Sequence, residues 1–354
     1  MSHYSGFRNH PTARQHVRRL LLGLTATSLM VLGIAGVGAG TSVADAVIET
    51  VPVAATPRGV AITPNGDFAY VTNSFDDSVS VIDTETNTEV DTIAVGVAPR
   101  GVAITPNGAF AYITNIGDDT VSVIDTETNT EVDTIAVRAA PQGVEITPNG
   151  AFAYVTNRFD NSVSVIDTET NTEVDTIAVR TVPEQVAITP NGAFAYVTNG
   201  FDHSVSVIDT GTNTEVDTIA VGTVPVGVAI TPNGAFAYVT NSYDDSVSVI
   251  DTETNTEVDT IAVGDFPEGV AITPNGAFAY VTNRFDDSVS VIDTGTNTEV
   301  DTIAVEEDPF GVAITPNGAF AYVTNRDDDT VSVIAFGQCA GSQCIDFGSL
   351  TGSG

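Results

Sequence analysis

Four residues of this sequence have the clearest capacity for chemistry: Arg58, Arg100, Glu184 and Glu268. Two guanidiniums can fork a carboxylate or a phosphate, and two carboxylates can move a proton. They fall on one ladder of positions with a step of 42 residues: Arg58, Arg100, Gln142, Glu184, Val226, Glu268 and Phe310. Such a mixed rim could grip a small or peptidic ligand, with Arg58 and Arg100 as an anion clamp. Arg158, His203, Arg284 and Arg326 lie in a second variable segment and are further candidates for ligand contact.

Other chemistry is sparse. His203 is the one histidine beyond residue 46, so a histidine metal site or a Ser-His-Asp triad would rest on it alone. No phosphate-binding glycine loop, zinc spacing or dinucleotide fingerprint is present. Carboxylate pairs recur in the matching segments of the other units: Asp76-Asp77, Asp118-Asp119, Asp244-Asp245, Asp286-Asp287 and the run Asp327-Asp328-Asp329. Calcium is the metal that such oxygen-rich turns raise. It wants about 6–8 oxygens, and two adjacent aspartates fall short. No catalytic residue and no cofactor is assigned.

The elements that must position these residues are written as a repeat. ITPNG begins at Ile62 and recurs every 42 residues to Ile314, and the tetrapeptide after it reads YVTN six times and YITN once. In the second unit, strand A is Gly101 to Thr105, B is Ala109 to Asn115, C is Thr120 to Asp125 and D is Thr130 to Val137. Valine, isoleucine, threonine and aromatics fill these runs, and Pro-Asn-Gly supplies the A–B turn. Four strands in about 40–45 residues is the size of one propeller blade. The sequence therefore predicts an all-β, seven-bladed propeller with four antiparallel strands per blade.

Its ends predict how the ring closes. The seventh unit stops after Phe336 without a strand D, while Val47 to Val53 aligns with Val90 to Val95 as a strand D with no blade of its own. The N-terminal strand is expected to complete the last blade, three strands from one end and one from the other. Residues 47–336 then form the propeller.

The units differ mainly in the D–A loops and the B–C loops, which share a face of an up-and-down blade. All seven arginines beyond residue 46 sit in them. Phe75, Phe159, Phe201, Tyr243 and Phe285 recur in the B–C loops and are expected to plug the blades.

Residues 1–46 read as an export signal. A basic stretch ends at Arg18-Arg19, an apolar run follows, and Ala44-Asp45-Ala46 offers small residues for cleavage after Ala46. Losing that segment removes four arginines and one aspartate and takes the formal charge from −35 to −38. A body this acidic repels nucleic-acid backbones and anionic lipid, and no later segment could span a membrane. Residues 337–354 form a tail in which Cys339 and Cys344 are expected to pair as a local disulfide in an exported protein.

YVTN and YITN, ITPNG and the SVSVIDT strand resemble the YVTN family of β-propeller repeats. The resemblance covers residues 47–336 and implies an exported or surface-layer setting. A propeller hosts many activities. The expected function is a monomeric, non-catalytic binding scaffold at the cell surface, with a protein or glycan partner at the envelope on the variable face. The alternatives are an enzyme of the lactonase type, which some seven-bladed propellers resemble, built from Glu184, Glu268, Arg58 and Arg100, and a structural envelope component.

Overall fold

The computed structural model describes residues 44–337 and the two-residue strands Cys339–Ala340 and Gln343–Cys344. Among them are seven four-stranded antiparallel sheets, each formed by one repeat, with a 3+1 exception. That exception is blade seven, where Ala46–Pro52 pairs with Thr330–Ala335, followed by Phe320–Asn325 and Pro309–Ile314.

The register of the closing strand repeats that of the other D strands. Val51 faces Val331, and a bulge lies between Val47 and Glu49. The bulge puts Ile48 in solvent at 55 % exposure, where Val90 of blade one stands at 53 %. Val51 is buried in the place of Ile93. The N-terminal strand is thus a true strand D, and it removes the open edge the ring would otherwise have.

The core lies between blades. Tyr112, Val121, Val123 and Ile135 of blade two pack on Ala153, Val155 and Ile166 of blade three, and each seam round the ring repeats this arrangement with little change. Strand B accordingly needs apolar groups on both faces, a bulky aromatic one way and small or branched residues the other.

The YVTN tetrapeptide has a separate task for each letter. The tyrosine reaches the next blade: Tyr70 Oη donates to Asn129 Oδ1 at 2.7 Å, Tyr196 to Asn255 at 2.7 Å and Tyr322 to Asn87 at 2.6 Å. The second residue is core. Thr114 Oγ1 accepts from Gly101 N–H at 2.8 Å and donates to the carbonyl of Gln142 in the next blade at 2.7 Å. Asn157 Nδ2 ties Ser162 and Ser164 of strand C at 3.1 and 2.9 Å. Every step of the 42-residue ladder has its carbonyl held this way by the threonine of the preceding blade.

These clasps require the innermost strands to approach closely. A Cβ at Gly59 would come within 2.4 Å of the Arg100 carbonyl oxygen, which explains glycine after most ladder positions. Substituting Tyr196 by Phe leaves Asn255 Oδ1 without its donor. It is expected to cost about 1 kcal/mol in chemical denaturation, with the fold kept.

The B–C aspartates are clasps as well. The first of each pair caps the D–A loop of its own blade, as Asp76 Oδ2 does by accepting from Ala55 N at 2.7 Å. The second, in a left-handed backbone conformation, caps the next blade: Asp77 Oδ1 accepts from Ala98 N at 2.8 Å and Asp119 Oδ1 from Ala140 N at 2.8 Å. Among the described residues no group of three His, Cys, Asp or Glu side chains is arranged to hold a metal ion.

The loop aromatics do not plug the blades. Phe75, Phe159, Phe201, Tyr243 and Phe285 are 63–79 % exposed. The D–A residues facing these loops are mostly small, and Phe266 alone gives rings to pack on, 5.3 Å from Tyr243 and 4.7 Å from Phe285. No helix among the described residues is long and apolar enough to cross a membrane. The backbone places Cys339 opposite Cys344, while the expected disulfide and the rest of the tail lie outside the described side chains. Most of the export segment also lies outside the described residues.

Candidate anion-binding channel mouth

The innermost strands surround a cavity of about 220 Å³. Six ladder residues, Arg58, Arg100, Gln142, Val226, Glu268 and Phe310, line it. Glu184 does not. Its buried carboxylate accepts from Gln142 Nε2 at 3.1 Å and lies 3.1 Å from Arg158 Nε.

Five of the seven loop arginines are paired with carboxylates of the protein. Arg284 lies 3.7 Å from Glu268 and 2.5 Å from Asp308, and Arg326 pairs with Asp308 from the other side. Arg138 and Arg180 reach Glu173 and Glu215 at 3.5 and 3.4 Å. His203 replaces the usual aspartate cap, with Nδ1 accepting from Val224 N at 3.0 Å. That bond leaves the ring holding a seam.

Arg58 and Arg100 differ from the other five arginines of the described residues, because no carboxylate lies within ion-pair distance of either. Arg58 Nε donates to Ser74 Oγ at 3.0 Å, and its guanidinium lies 5.0 Å from the Phe310 ring centre. Arg100 Nε is buried without a hydrogen-bond partner. Burial, then the charge of Arg100, lowers Arg58 to about 9. Burial, then Arg158, lowers Arg100 to about 10. Both remain cations at neutral pH, held near one another without a carboxylate in direct contact, while Glu268 acts on both, and Glu184 on Arg100, from farther off.

Two further residues of the channel break the repeat within strand A. Glu145 stands where the other six blades have alanine, and Gln185 stands where they have glycine. Both line the cavity. Sequence reading that compared loops passed over them, although the same blade-by-blade comparison carried into strand A exposes both. Glu145 has no hydrogen-bond or ion-pair partner among the described residues. Water reaches it along the channel, yet protein surrounds it, and burial pushes it up to about 7. Burial, opposed by Arg284, does the same to Glu268, also to about 7. Burial raises Glu184 as well, against Arg158.

The raised Glu145 has a consequence for stability. Its ordinary value is 4.5 and its folded value about 7, so the folded chain keeps a proton that the unfolded chain releases. Stability therefore falls as pH rises through that window, and the full penalty is present above it. Glu145→Gln is expected to melt several degrees above the unsubstituted protein at pH 8. The gap closes below pH 4.5, as thermal melts across this range will show.

Comparison with known families decides the chain's affiliation. The model described as "Lactonase, 7-bladed beta-propeller" matches residues 93–227 and 220–342. The chain belongs to this seven-bladed lactonase family. A YNCE-like β-propeller model matches residues 27–152. Among solved structures, the lactonase-family chain is similar to one titled "Kuenenia stuttgartiensis Hydrazine Synthase", with 25 % identity and a TM-score of 0.74, over 79 % of this chain and 95 % of that one. No curated protein matches it. The family assigns the propeller; activity must be argued from the site.

Proposed function

We propose that this lactonase-family propeller is an exported, YVTN-type binding scaffold whose channel mouth holds a small anion of the carboxylate or phosphate class between Arg58 and Arg100. The observation that carries the reading is the selective lack of a directly paired carboxylate. Five arginines have carboxylate partners, and the two that line the channel have none. An anion entering there would be paired with both guanidiniums in a partly dehydrated site, where such bonds are strong. The surrounding negative charge disfavours polyanions, so the ligand is small. Thermal melts with phosphate or acetate test this. Either anion is expected to raise the melting temperature of the natural chain and not that of Arg58→Gln/Arg100→Gln. An equal rise in both would remove the site.

The family and Glu268 favour a second reading, lactone hydrolysis. The Glu268 carboxylate would take a proton from water as its oxygen bonds to the lactone carbonyl. Arg58 and Arg100 would face the oxyanion, and the proton would pass to the ring oxygen as its bond to the carbonyl carbon breaks. A value near 7 suits a group that must both accept and return a proton. Lactone hydrolysis by the purified chain, lost in Glu268→Gln, would support it. Unchanged turnover in that variant would exclude this role for Glu268.

A further inference from the structure

We infer that the channel ligand is dipolar, with an anionic group on Arg58 and Arg100 and an ammonium group on Glu145. The inference rests on the anion reading above and adds the opposite end of the ligand. Arg58, Arg100 and Glu145 line one cavity. The arginines are cations without a carboxylate, and Glu145 is a carboxylate without a cation. Glu268, the other acid of the lining, already faces Arg284 at 3.7 Å.

Spacing sets the length of the ligand. Glu145 is three residues along its strand from Gln142, the ladder position level with Arg58 and Arg100, and three strand residues rise roughly 10 Å. The Arg58 head stays at the mouth, held by Ser74 and Phe310. An ω-amino acid or the free termini of a di- or tripeptide suits the span.

Calorimetric titration of residues 45–354 with two matched pairs tests this: trialanine against N-acetyl-trialanine, and 6-aminohexanoate against hexanoate. The free amine is expected to bind at least tenfold more tightly in one pair or both, the favoured pair separating peptide from ω-amino acid. Glu145→Ala is expected to erase that preference while keeping the affinity for the amine-free acid. Alanine occupies this position in six blades, so the variant is expected to fold. Equal affinity within both pairs would overturn the inference and leave the anion site standing. Absence of binding by all four probes would overturn the inference and, with phosphate also silent, remove the anion site as well.

A separate observation bears on processing. Asp45 lies 42 residues before Asn87 and takes the matching place in the ring of tyrosine clasps. Tyr280 Oη donates to Asp45 Oδ2, and Gly337 N donates to Asp45 Oδ1 at 2.8 Å. Ala46 already pairs with Ala335. Cleavage after Ala46 would remove this clasp and leave Tyr280 without its acceptor. We infer that export processing cuts two bonds earlier than the Ala44-Asp45-Ala46 pattern suggests, between Ala44 and Asp45. Ser42 and Ala44 then supply the small residues a signal peptidase reads. Water adds across that bond, giving a carboxylate on Ala44 and an amino group on Asp45. The intact mass of the chain recovered from the medium or envelope tests this. A mass starting at Asp45 is expected. A start at Val47, or retention of the whole segment, would overturn it. Chains made directly from Asp45 and from Val47 provide the second check, because the shorter is expected to melt several degrees lower and equal melting would deny the clasp its role.

Discussion

Placing aspartate at position 51 is expected to lower stability by about 3–4 kcal/mol, since it buries an unpaired carboxylate in the last seam of the ring. Val51 is 2 % exposed and packs with Val331, Val333 and Tyr322. The same substitution at Ile48, three residues away on the same strand, is expected to change stability by under about 0.5 kcal/mol, because the bulge holds that side chain in solvent. Denaturation of the two variants therefore tests both the closure of the ring by its N-terminal strand and the register of that closure. A strand merely lying along the blade edge, or paired one residue out of step, would give equal or reversed effects.

A second large effect concerns the channel arginines and runs against intuition. Arg58→Gln and Arg100→Gln each remove a buried cation that has no carboxylate beside it. Each is expected to leave the empty protein as stable as before or to stabilise it by about 1 kcal/mol. Each is also expected to weaken anion binding at least tenfold. Arg284→Gln should behave in the opposite way, because it leaves the buried Glu268 without its ion-pair partner and Asp308 with Arg326 alone. It is expected to destabilise by about 2–3 kcal/mol. This split separates arginines kept for a ligand from arginines kept for the fold.

The repeat made most of the architecture legible. Identical strands recurring every 42 residues announce a blade, and the missing and orphan D strands announce the closure. The position of six of the seven ladder residues at the channel was also readable, although they are the second residues of strand A rather than the residues before it, and Glu184 does not line the cavity. Pairing was not. Arg284 meets Asp308 and Arg158 meets Glu184, each across a seam between blades, so linear order cannot distinguish these arginines from Arg58 and Arg100. Nor could it show that turn aspartates cap neighbouring loops, or that Phe75 and its equivalents lack a surface to cover. Glu145 and Gln185 were visible as departures from the repeat. Their meaning depends on strand A lining a channel, a fact of the closed ring rather than of the local sequence.

The measurement closest to the central claim is a calorimetric titration of the chain with a small carboxylate, beside the Arg58→Gln/Arg100→Gln variant. One saturable site, lost in the variant while its melting temperature is unchanged or higher, is the predicted result. Binding that persists without the two arginines, or no binding to the natural chain, would contradict an anion site at the channel mouth.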